Sequence, residues 1–142
     1  MAYPIAIHIV TYNCAKTIAT CLHSLVHQTF TDFTLYIIDN ASTDNTVQII
    51  HQLGYTTHVN AQNMGYSFAH NQALVKTNSQ YVLTLNPDVW LDPLFLESMY
   101  KRMEATKELG SVAGCLLRVD SLGDTATRID SMGVQIYRTR RQ

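Results

Sequence analysis

The chain carries little charge of either sign. Of its 142 residues, 15% are charged, and the formal net charge at pH 7 is −1. A balance this close to neutral gives no electrostatic attraction to nucleic acid or to an anionic membrane surface, so we expect neither as the main partner. The hydrophobic fraction of 46% is that of an ordinary globular protein.

Cysteine is scarce as well. Cys14, Cys21 and Cys115 form an odd, widely spaced set without a CxxC pair. This pattern argues against a disulfide framework and favours buried thiols in a reducing compartment. The sequence shows no basic leader and no apolar run long enough to cross a bilayer. We therefore expect a cytoplasmic protein, with peripheral attachment at the inner face of the membrane as an alternative.

Two familiar phosphate-binding motifs are missing. The first strand-to-helix turn reads TYNCAKT and lacks GxGxxG, which disfavours the common dinucleotide-binding fold. The motif GxxxxGK[ST] is absent too, which excludes the P-loop enzymes. A nucleotidyltransferase of related fold is disfavoured because no glycine-rich loop follows the first predicted strand.

Strand-like and helix-like segments alternate along the chain. Apolar or β-rich runs predict strands at Ile5–Thr11, Phe33–Ile38, Tyr55–Val59, Tyr81–Leu85 and Ser111–Val119, with a weaker one at Val134–Tyr137. Capping signals and helical spacing predict helices from Asn13 to about Gln28, after Ser42–Asp44, after the turn at Asn63–Gly65, and from Asp92 to Gly110.

This alternation predicts the fold class. Strands joined by helices form a mostly parallel sheet with right-handed crossovers, which gives a three-layer α/β/α architecture. We expect one domain over residues 1–142, with the core in about residues 1–119 and a less regular segment over residues 120–142.

Polar clusters follow three of the predicted strands, at Thr11–Asn13, Asp39–Asp44 and Asn86–Asp88. Because parallel strands end at one edge of a sheet, one ligand can contact all three clusters. Asp39 can accept a hydrogen bond from a pyrimidine ring N–H, and Asp88 can bind a cation that bridges two phosphates. The same residue types are common in turns and helix caps, so each cluster alone also has a purely structural explanation.

Other residues with reactive side chains are better explained by packing. His23 and His27 are one helical turn apart, but no third metal ligand is nearby. Cys14 and Cys21 are expected to be small packing residues. Trp90 is expected to pack under the following helix. His70 is also expected to be a packing residue, with contact to the ligand as a minor alternative.

Five segments together resemble family 2 glycosyltransferases, whose nucleotide-sugar-binding fold is called GT-A, and in particular their rhamnosyltransferase-like members. The similarity covers about residues 5–133. It is carried by IVTYN at the first strand end, IIDNASTDNT after the second, NMGYSFAHNQAL on the third helix, LTLNPDVWLDP, and IDSMG.

The resemblance implies a site. Thr11 and Tyr12 would line the nucleoside pocket, Asp39 would hold the base, and Asp88 would act as the last Asp of the family's DxD motif with Mn²⁺ or Mg²⁺ as cofactor. Asn63 and Gly65 would let the backbone approach the donor, and Asn71 would lie near ribose or sugar. The full set predicted to contact the nucleotide sugar is Thr11, Tyr12, Asn13, Asp39, Asn40, Asn63, Gly65, Asn71 and Asn86.

Asn86 departs from the family motif, because many members have an Asp there. Asn is a neutral oxygen ligand and also a hydrogen-bond donor, so the site has one negative charge fewer. Two interpretations stay open: either metal affinity is weaker, or Asn86 contacts only the donor. Asn-Pro-Asp is familiar in the rhamnosyltransferase-like branch, so the change bears on the sugar more than on the fold.

The implied reaction moves a sugar from a UDP- or dTDP-linked donor, a rhamnose-like sugar included, to an acceptor hydroxyl with inversion, in cell-surface polysaccharide synthesis. The cation would neutralise charge on the departing diphosphate, and a carboxylate would act as base. In the family that base lies in the acceptor-binding half, which we expect beyond Gln142. Asp120, Asp124 and Asp130 match no motif and are expected in loops.

Two other functions are open at this stage. Without an acceptor half, the chain can be a nucleotide-sugar-binding module with no turnover. It can also be a truncated remnant that binds no ligand and exposes an apolar face where the missing half would pack. The acceptor, a glycan or a lipid-linked molecule, is unspecified, and a partner chain or self-association would cover the face left by the missing half.

Overall fold

A computed structural model of the chain describes residues 3–119 and 128–131. The chain divides into two compact units, Met1–Leu94 and Phe95–Gln142. No helix in the described ranges combines the length and the apolar character that a membrane crossing requires.

The first unit contains a four-stranded parallel sheet of order β3-β2-β1-β4. Its strands are β1 (Ile5–Thr11), β2 (Phe33–Asp39), β3 (His58–Val59) and β4 (Tyr81–Leu85). The helices between them are α1 (Ile18–Val26), α2 (Thr46–Gln52) and α3 (Tyr66–Val75). The predicted α/β class and the mostly parallel sheet are confirmed, although β3 is shorter than the predicted Tyr55–Val59.

Strand β1 is the centre of the sheet, and all seven of its residues are buried. Its neighbours are in register along its length, with Ile5 opposite Phe33 and Thr11 opposite Asp39 on one side. On the other side Ile9 is opposite Leu85, the last residue of β4. The three strands therefore end close together at one edge of the sheet.

Helix α3 packs on the sheet through small residues. Ala69 and Ala73 form a buried cluster with Val10 of β1 and Ile38 of β2, and Tyr36 packs against this cluster. A methyl group at each contact lets the helix approach the strands closely, and interiors packed this tightly tolerate little added volume. The position of α3 is thus fixed by the sheet.

Buried amide groups tie α3 to the ends of β2 and β3. Asn60 Nδ2 donates to Asn40 Oδ1 and to Gln72 Oε1, each at 2.9 Å. Gln72 Nε2 donates back to Asn60 Oδ1 at 2.9 Å. Each of these buried polar atoms has a partner, which is what a stable interior requires.

The predicted start of the first helix is wrong. Asn13 has φ 50° and α1 begins only at Ile18, after a turn in which the N–H groups of Thr17 and Ile18 donate to Cys14 O. The Asn13 side chain accepts from Thr43 N in the loop after β2 instead of capping a helix. Helix α2 begins at Thr46, after Ser42–Asp44 as predicted, and the Asp44 carboxylate accepts from Thr46 N at 3.0 Å.

The second unit contains α4 (Phe95–Ala105) and an antiparallel pair, β5 (Leu116–Arg118) and β6 (Arg128–Ser131). The predicted buried strand Ser111–Val119 is wrong, because only Leu116–Arg118 is a strand and all three residues are exposed. Asp130, expected in a loop, lies in β6. Helix α4 starts after Pro93 and ends before Gly110, and Leu94 N donates to Asp92 Oδ1 at 2.9 Å ahead of it. The weak strand predicted at Val134–Tyr137 is outside the described residues.

Candidate functional site

The carboxylate of Asp39 is at the end of β2 and is completely buried, with 0% of the residue exposed. Thr11 Oγ1 donates to Oδ1 at 2.7 Å, and the Ser42 hydroxyl donates to the same oxygen at 2.5 Å. Ser42 N donates to Oδ2 at 2.8 Å. A carboxylate has about four acceptor positions, so one position, on Oδ2, has no donor among the described residues.

The loops after β1 and β2 are joined by hydrogen bonds. Asn13 N donates to Ser42 Oγ at 2.9 Å, and Thr43 N donates to Asn13 Oδ1 at 2.8 Å. Further along, Ala15 N donates to Asp44 Oδ2 at 3.1 Å. The hydrogen bond from Thr46 is the main reason that the pKa of Asp44 lies below its usual range. We call this joined pair, residues 11–15 and 39–46, the double loop.

Tyr12 lies within the double loop, and 51% of it is exposed. Its neighbours Thr11 and Asn13 are both fixed by hydrogen bonds to the second loop. An exposed aromatic ring on a fixed backbone is suited to stacking on a flat ligand, because little side-chain freedom is lost on contact.

The predicted contact residue Asn40 has its side chain engaged inside the protein. It is 2% exposed, and its Nδ2 donates to Gly65 O at 3.1 Å. Asn63 Oδ1 accepts from Gly65 N at 2.9 Å, and Gly65 has φ 86°, a conformation that favours glycine. These bonds position the start of α3 beside the end of β2. Asn71 is further along α3 and is exposed.

Asn86 and Asp88 follow β4, and both are exposed. The backbone there is a turn in which Asn86 O accepts from Val89 N at 3.3 Å and from Cys21 Sγ at 3.6 Å. The side chain of Asn86 accepts a hydrogen bond from the Tyr66 hydroxyl at 3.1 Å. The start of α3 therefore contacts the end of β4 as well as the end of β2.

The cysteines near these loops are not poised for chemistry. All three cysteines of the chain are free. Burial is the main cause that raises the pKa of Cys21 to about 12, and the Cys14 thiol and the Asp88 charge add to it. Burial also raises the pKa of Cys14. Both side chains stay protonated thiols at neutral pH, as suits packing residues.

The donor atoms at the end of β4 fit one kind of metal site. In the described ranges no three His, Cys, Asp or Glu residues are grouped so as to hold a metal ion. Mg²⁺-type cations usually bind one or two carboxylates together with substrate phosphates and keep several waters. The exposed carboxylate of Asp88 fits a cation that arrives with a diphosphate, and it does not fit a metal site made of protein ligands alone.

The hydrogen bonds of two side chains at this edge were not predicted from the sequence. Ser42 supplies two of the three hydrogen bonds to Asp39, and Tyr66 bonds Asn86. The position of Tyr66 could have been predicted from the sequence. The turn at Asn63–Gly65 places the next residue at the start of a helix, on the carboxyl edge of the sheet. The pair His23 and His27 instead borders a shallow surface pocket with Val26, Leu53 and Tyr55.

The fold and its polar edge define the class of protein. A mostly parallel α/β sheet with polar loops at its carboxyl edge matches the GT-A fold of nucleotide-sugar transferases. Residues 6–141 match the family described as Glycosyl transferase family 2. The chain belongs to this family, which confirms the resemblance to family 2 glycosyltransferases, while the rhamnosyltransferase-like part stays a prediction.

Curated relatives include two chondroitin synthases. Chondroitin synthase of Escherichia coli is 35% identical over 94 residues, which are 63% of this chain and 14% of that protein. Chondroitin synthase of Pasteurella multocida is 33% identical over 112 residues, which are 76% of this chain and 12% of that protein. The chain thus spans about one seventh or less of the length of these relatives.

Solved structures share the fold. TarS 1-349 of S. aureus in complex with UDP-GlcNAc has a TM-score of 0.67 and 26% identity, over 74% of this chain and 32% of that chain. The mannosyltransferase PcManGT of Pyrobaculum calidifontis, solved with GDP-Man and Mn²⁺, has a TM-score of 0.70 and 21% identity, over 83% of this chain and 36% of that chain. The second similarity is one of fold alone.

Proposed function

We propose that the first unit, Met1–Leu94, binds a nucleoside diphosphate sugar, and that the chain serves to transfer this sugar to an acceptor hydroxyl with inversion and with help from a divalent cation. One observation carries the proposal. Asp39 is paired with Thr11 on one side of β1, and Asn86 and Asp88 follow β4 on the other side, at the same edge of the sheet.

The β2 side of this edge suits the nucleoside. The exposed ring of Tyr12 can stack on the base, and the remaining acceptor position on Asp39 Oδ2 can take the ring N–H of a uracil or thymine once the loop that buries Asp39 opens. Stacking is open to any base, and uracil and thymine each carry a ring N–H, so we propose a UDP-linked donor first and a dTDP-linked donor second. The complex of TarS with UDP-GlcNAc supports the first choice.

The β4 side suits the diphosphate. Asp88 holds the cation through an oxygen, and the first turn of α3 presents backbone N–H groups and the positive end of its dipole. A Cβ added at Gly65 would meet nothing within 4 Å, so the space beside this turn is open. When bound, the cation neutralises negative charge that develops on the departing diphosphate.

The compartment and the product follow from the same proposal. The free cysteines support a reducing compartment, so we propose a cytoplasmic protein. The relatives are synthases of chondroitin and hyaluronan. Their activity supports a growing polysaccharide as acceptor, on which the transferred sugar forms a new glycosidic bond.

Thermal unfolding with UDP, dTDP and GDP, each with Mn²⁺ or with EDTA, tests the proposal. UDP at a hundred times its dissociation constant should stabilise the protein by about 2.7 kcal/mol. The Mn²⁺-dependent part of the shift should disappear in Asp88→Ala, because the cation loses its protein ligand. Asp32→Ala is the matched control, since Asp32 is an exposed carboxylate that precedes β2, at the other edge of the sheet.

The outcomes separate the candidate functions. No stabilisation by any of the three nucleotides would end the proposal. Stabilisation that both aspartate variants lose equally would show that Asp88 is not a metal ligand. Release of UDP from UDP-GlcNAc with and without an oligosaccharide acceptor then distinguishes a transferase from a binding module without turnover.

A further inference from the structure

We propose that Tyr66 is a positioning residue, which fixes the Asn86 side chain as a hydrogen-bond donor to the diphosphate and leaves Asp88 as the one ligand to the cation among the described residues. The inference rests on the proposed function and deepens it. It decides between the two interpretations of Asn86 that the sequence left open, in favour of a contact with the donor and against metal ligation.

The contact joins two elements at the carboxyl edge of the sheet. Tyr66 is the first residue of α3, and Asn86 is the first residue after β4. The Tyr66 hydroxyl donates to Asn86 Oδ1 at 3.1 Å. The main-chain carbonyl of Asn86 is already bonded to Val89 N and to the Cys21 thiol, so the backbone carrying this side chain is itself held in a turn.

The contact with Tyr66 sets the orientation of the Asn86 amide group. The carbonyl oxygen and the amino group are on opposite branches of one plane, so the bond from Tyr66, which takes one of the two lone pairs of the oxygen, fixes that plane and turns the amino group to the opposite side. Its two hydrogens suit phosphate or sugar oxygens and cannot bind a cation. An aspartate in place of Asn86 would offer only acceptor oxygens.

The ring of Tyr66 packs against two histidine rings in series. It contacts the ring of His70, one turn further along α3, edge to face, with centroids 4.3 Å apart. His70 is stacked on His8 of β1, with ring centroids 6.5 Å apart. Both ring nitrogens of His70 are buried and have no hydrogen-bond partner among the described residues, so this side chain acts here through ring packing. The orientation of Tyr66 is thus tied to the central strand.

The protonation state of Tyr66 agrees with its role as donor. Burial raises the pKa of its hydroxyl above the usual value of 10.0. The group therefore carries its proton throughout the neutral range, and Asn86 Oδ1 is its acceptor.

The test is the affinity for UDP, measured by calorimetry in Mn²⁺ and in EDTA, for the wild type, Tyr66→Phe, Asn86→Ala and the double variant. Tyr66→Phe should weaken metal-free binding about 3–10-fold, the effect of one neutral hydrogen bond. It should weaken binding in Mn²⁺ less, because a released Asn86 oxygen becomes free to reach the cation. In the Asn86→Ala background, Tyr66→Phe should change neither affinity.

Tyr36→Phe is the matched control. The Tyr36 hydroxyl donates to Lys76 O at 3.1 Å, so the control removes a similar bond at the opposite end of the same helix. It should leave the ratio of UDP affinities in Mn²⁺ and EDTA unchanged. A purely structural role for Tyr66 would give the same result as this control.

Three outcomes overturn the inference. Tyr66→Phe binds UDP as the wild type does, or loses affinity equally in Mn²⁺ and EDTA, or loses it equally in the Asn86→Ala background. The reverse amide orientation, with Nδ2 bonded to the Tyr66 oxygen, predicts a loss confined to Mn²⁺. If the wild type binds no nucleoside diphosphate, the proposed function fails first and this inference fails with it.

Discussion

Ala41 has a left-handed backbone with φ 63°, which residues with a Cβ rarely adopt. It comes between Asn40, which is bonded to the start of α3, and Ser42, which is bonded to Asp39. Both neighbours are fixed by these contacts, so the unfavourable conformation between them is imposed by the surroundings. Strain at this residue is therefore the consequence of bonding both sides of the β2 end.

We expect Ala41→Gly to raise the free energy of unfolding by roughly 1 kcal/mol, because glycine adopts positive φ without steric strain. Urea unfolding measures the change. Gly54→Ala is the converse control, since Gly54 has φ 83° after α2 and open space around a built Cβ. That variant should lose a similar amount, and a destabilised Ala41→Gly would show that the loop is not strained.

At the scale of elements, the aromatic and histidine rings between α3 and the sheet form a pH-sensitive contact. His8 Nε2 is 2.6 Å from Thr77 Oγ1, and the ring contacts Tyr36 of β2. Burial lowers the pKa of His8 below 6.5, and the nearby His70 lowers it further. Burial also lowers the pKa of His70, whose other ring neighbour is Tyr66. Both rings are neutral at pH 7.

Folded-state pKa values below those of the unfolded chain mean that unfolding takes up protons. The stability from this contact is complete above pH 6.5 and is lost as the pH falls through the lowered values, by at most about 1.4 kcal/mol per pH unit for each histidine. We expect His70→Phe to show a shallower loss between pH 7 and pH 5 in urea unfolding. An equally steep loss in wild type and variant contradicts this expectation. The Asp44 carboxyl acts in a separate, more acidic window.

The elements also show what the sequence could predict. The strands β1, β2 and β4 were predicted to within a residue, since continuous apolar runs bounded by polar residues specify strands buried in a parallel sheet. Ser111–Val119 has a similar apolar character, but composition does not specify a pairing partner, and most of that run is not strand. Local pattern predicts an element better than it predicts what the element packs against.

The site was predicted in outline for the same reason. Strand ends fix where a polar side chain lies along the edge, so Asp39 and Asp88 could be assigned to that edge from the sequence. The hydrogen bonds of Asn40 to Gly65 and Asn60 depend on segments that are distant in the sequence. The sequence does not distinguish an asparagine that bonds inside the protein from one that contacts a ligand. The predicted ligand contacts of all these residues stay predictions.

At the scale of the whole molecule, every residue of the proposed nucleotide site belongs to the first unit, Met1–Leu94. We expect UDP with Mn²⁺ to slow amide hydrogen exchange in residues 11–15, 39–46, 63–66 and 86–88. The amides of β5 and β6 should exchange at an unchanged rate. Mass spectrometry of peptides from the exchanged protein measures both regions. Protection confined to the second unit would contradict the assignment.

The double loop has a thermodynamic consequence. Its cross-connections, such as Asn13 to Thr43 and Thr11 to Asp39, exist before any ligand arrives. Because both loops are already fixed, docking of a base on Tyr12 freezes few additional torsions. The diphosphate end also needs a cation that arrives with the phosphates, so the entropic penalty of binding should fall mainly on that end.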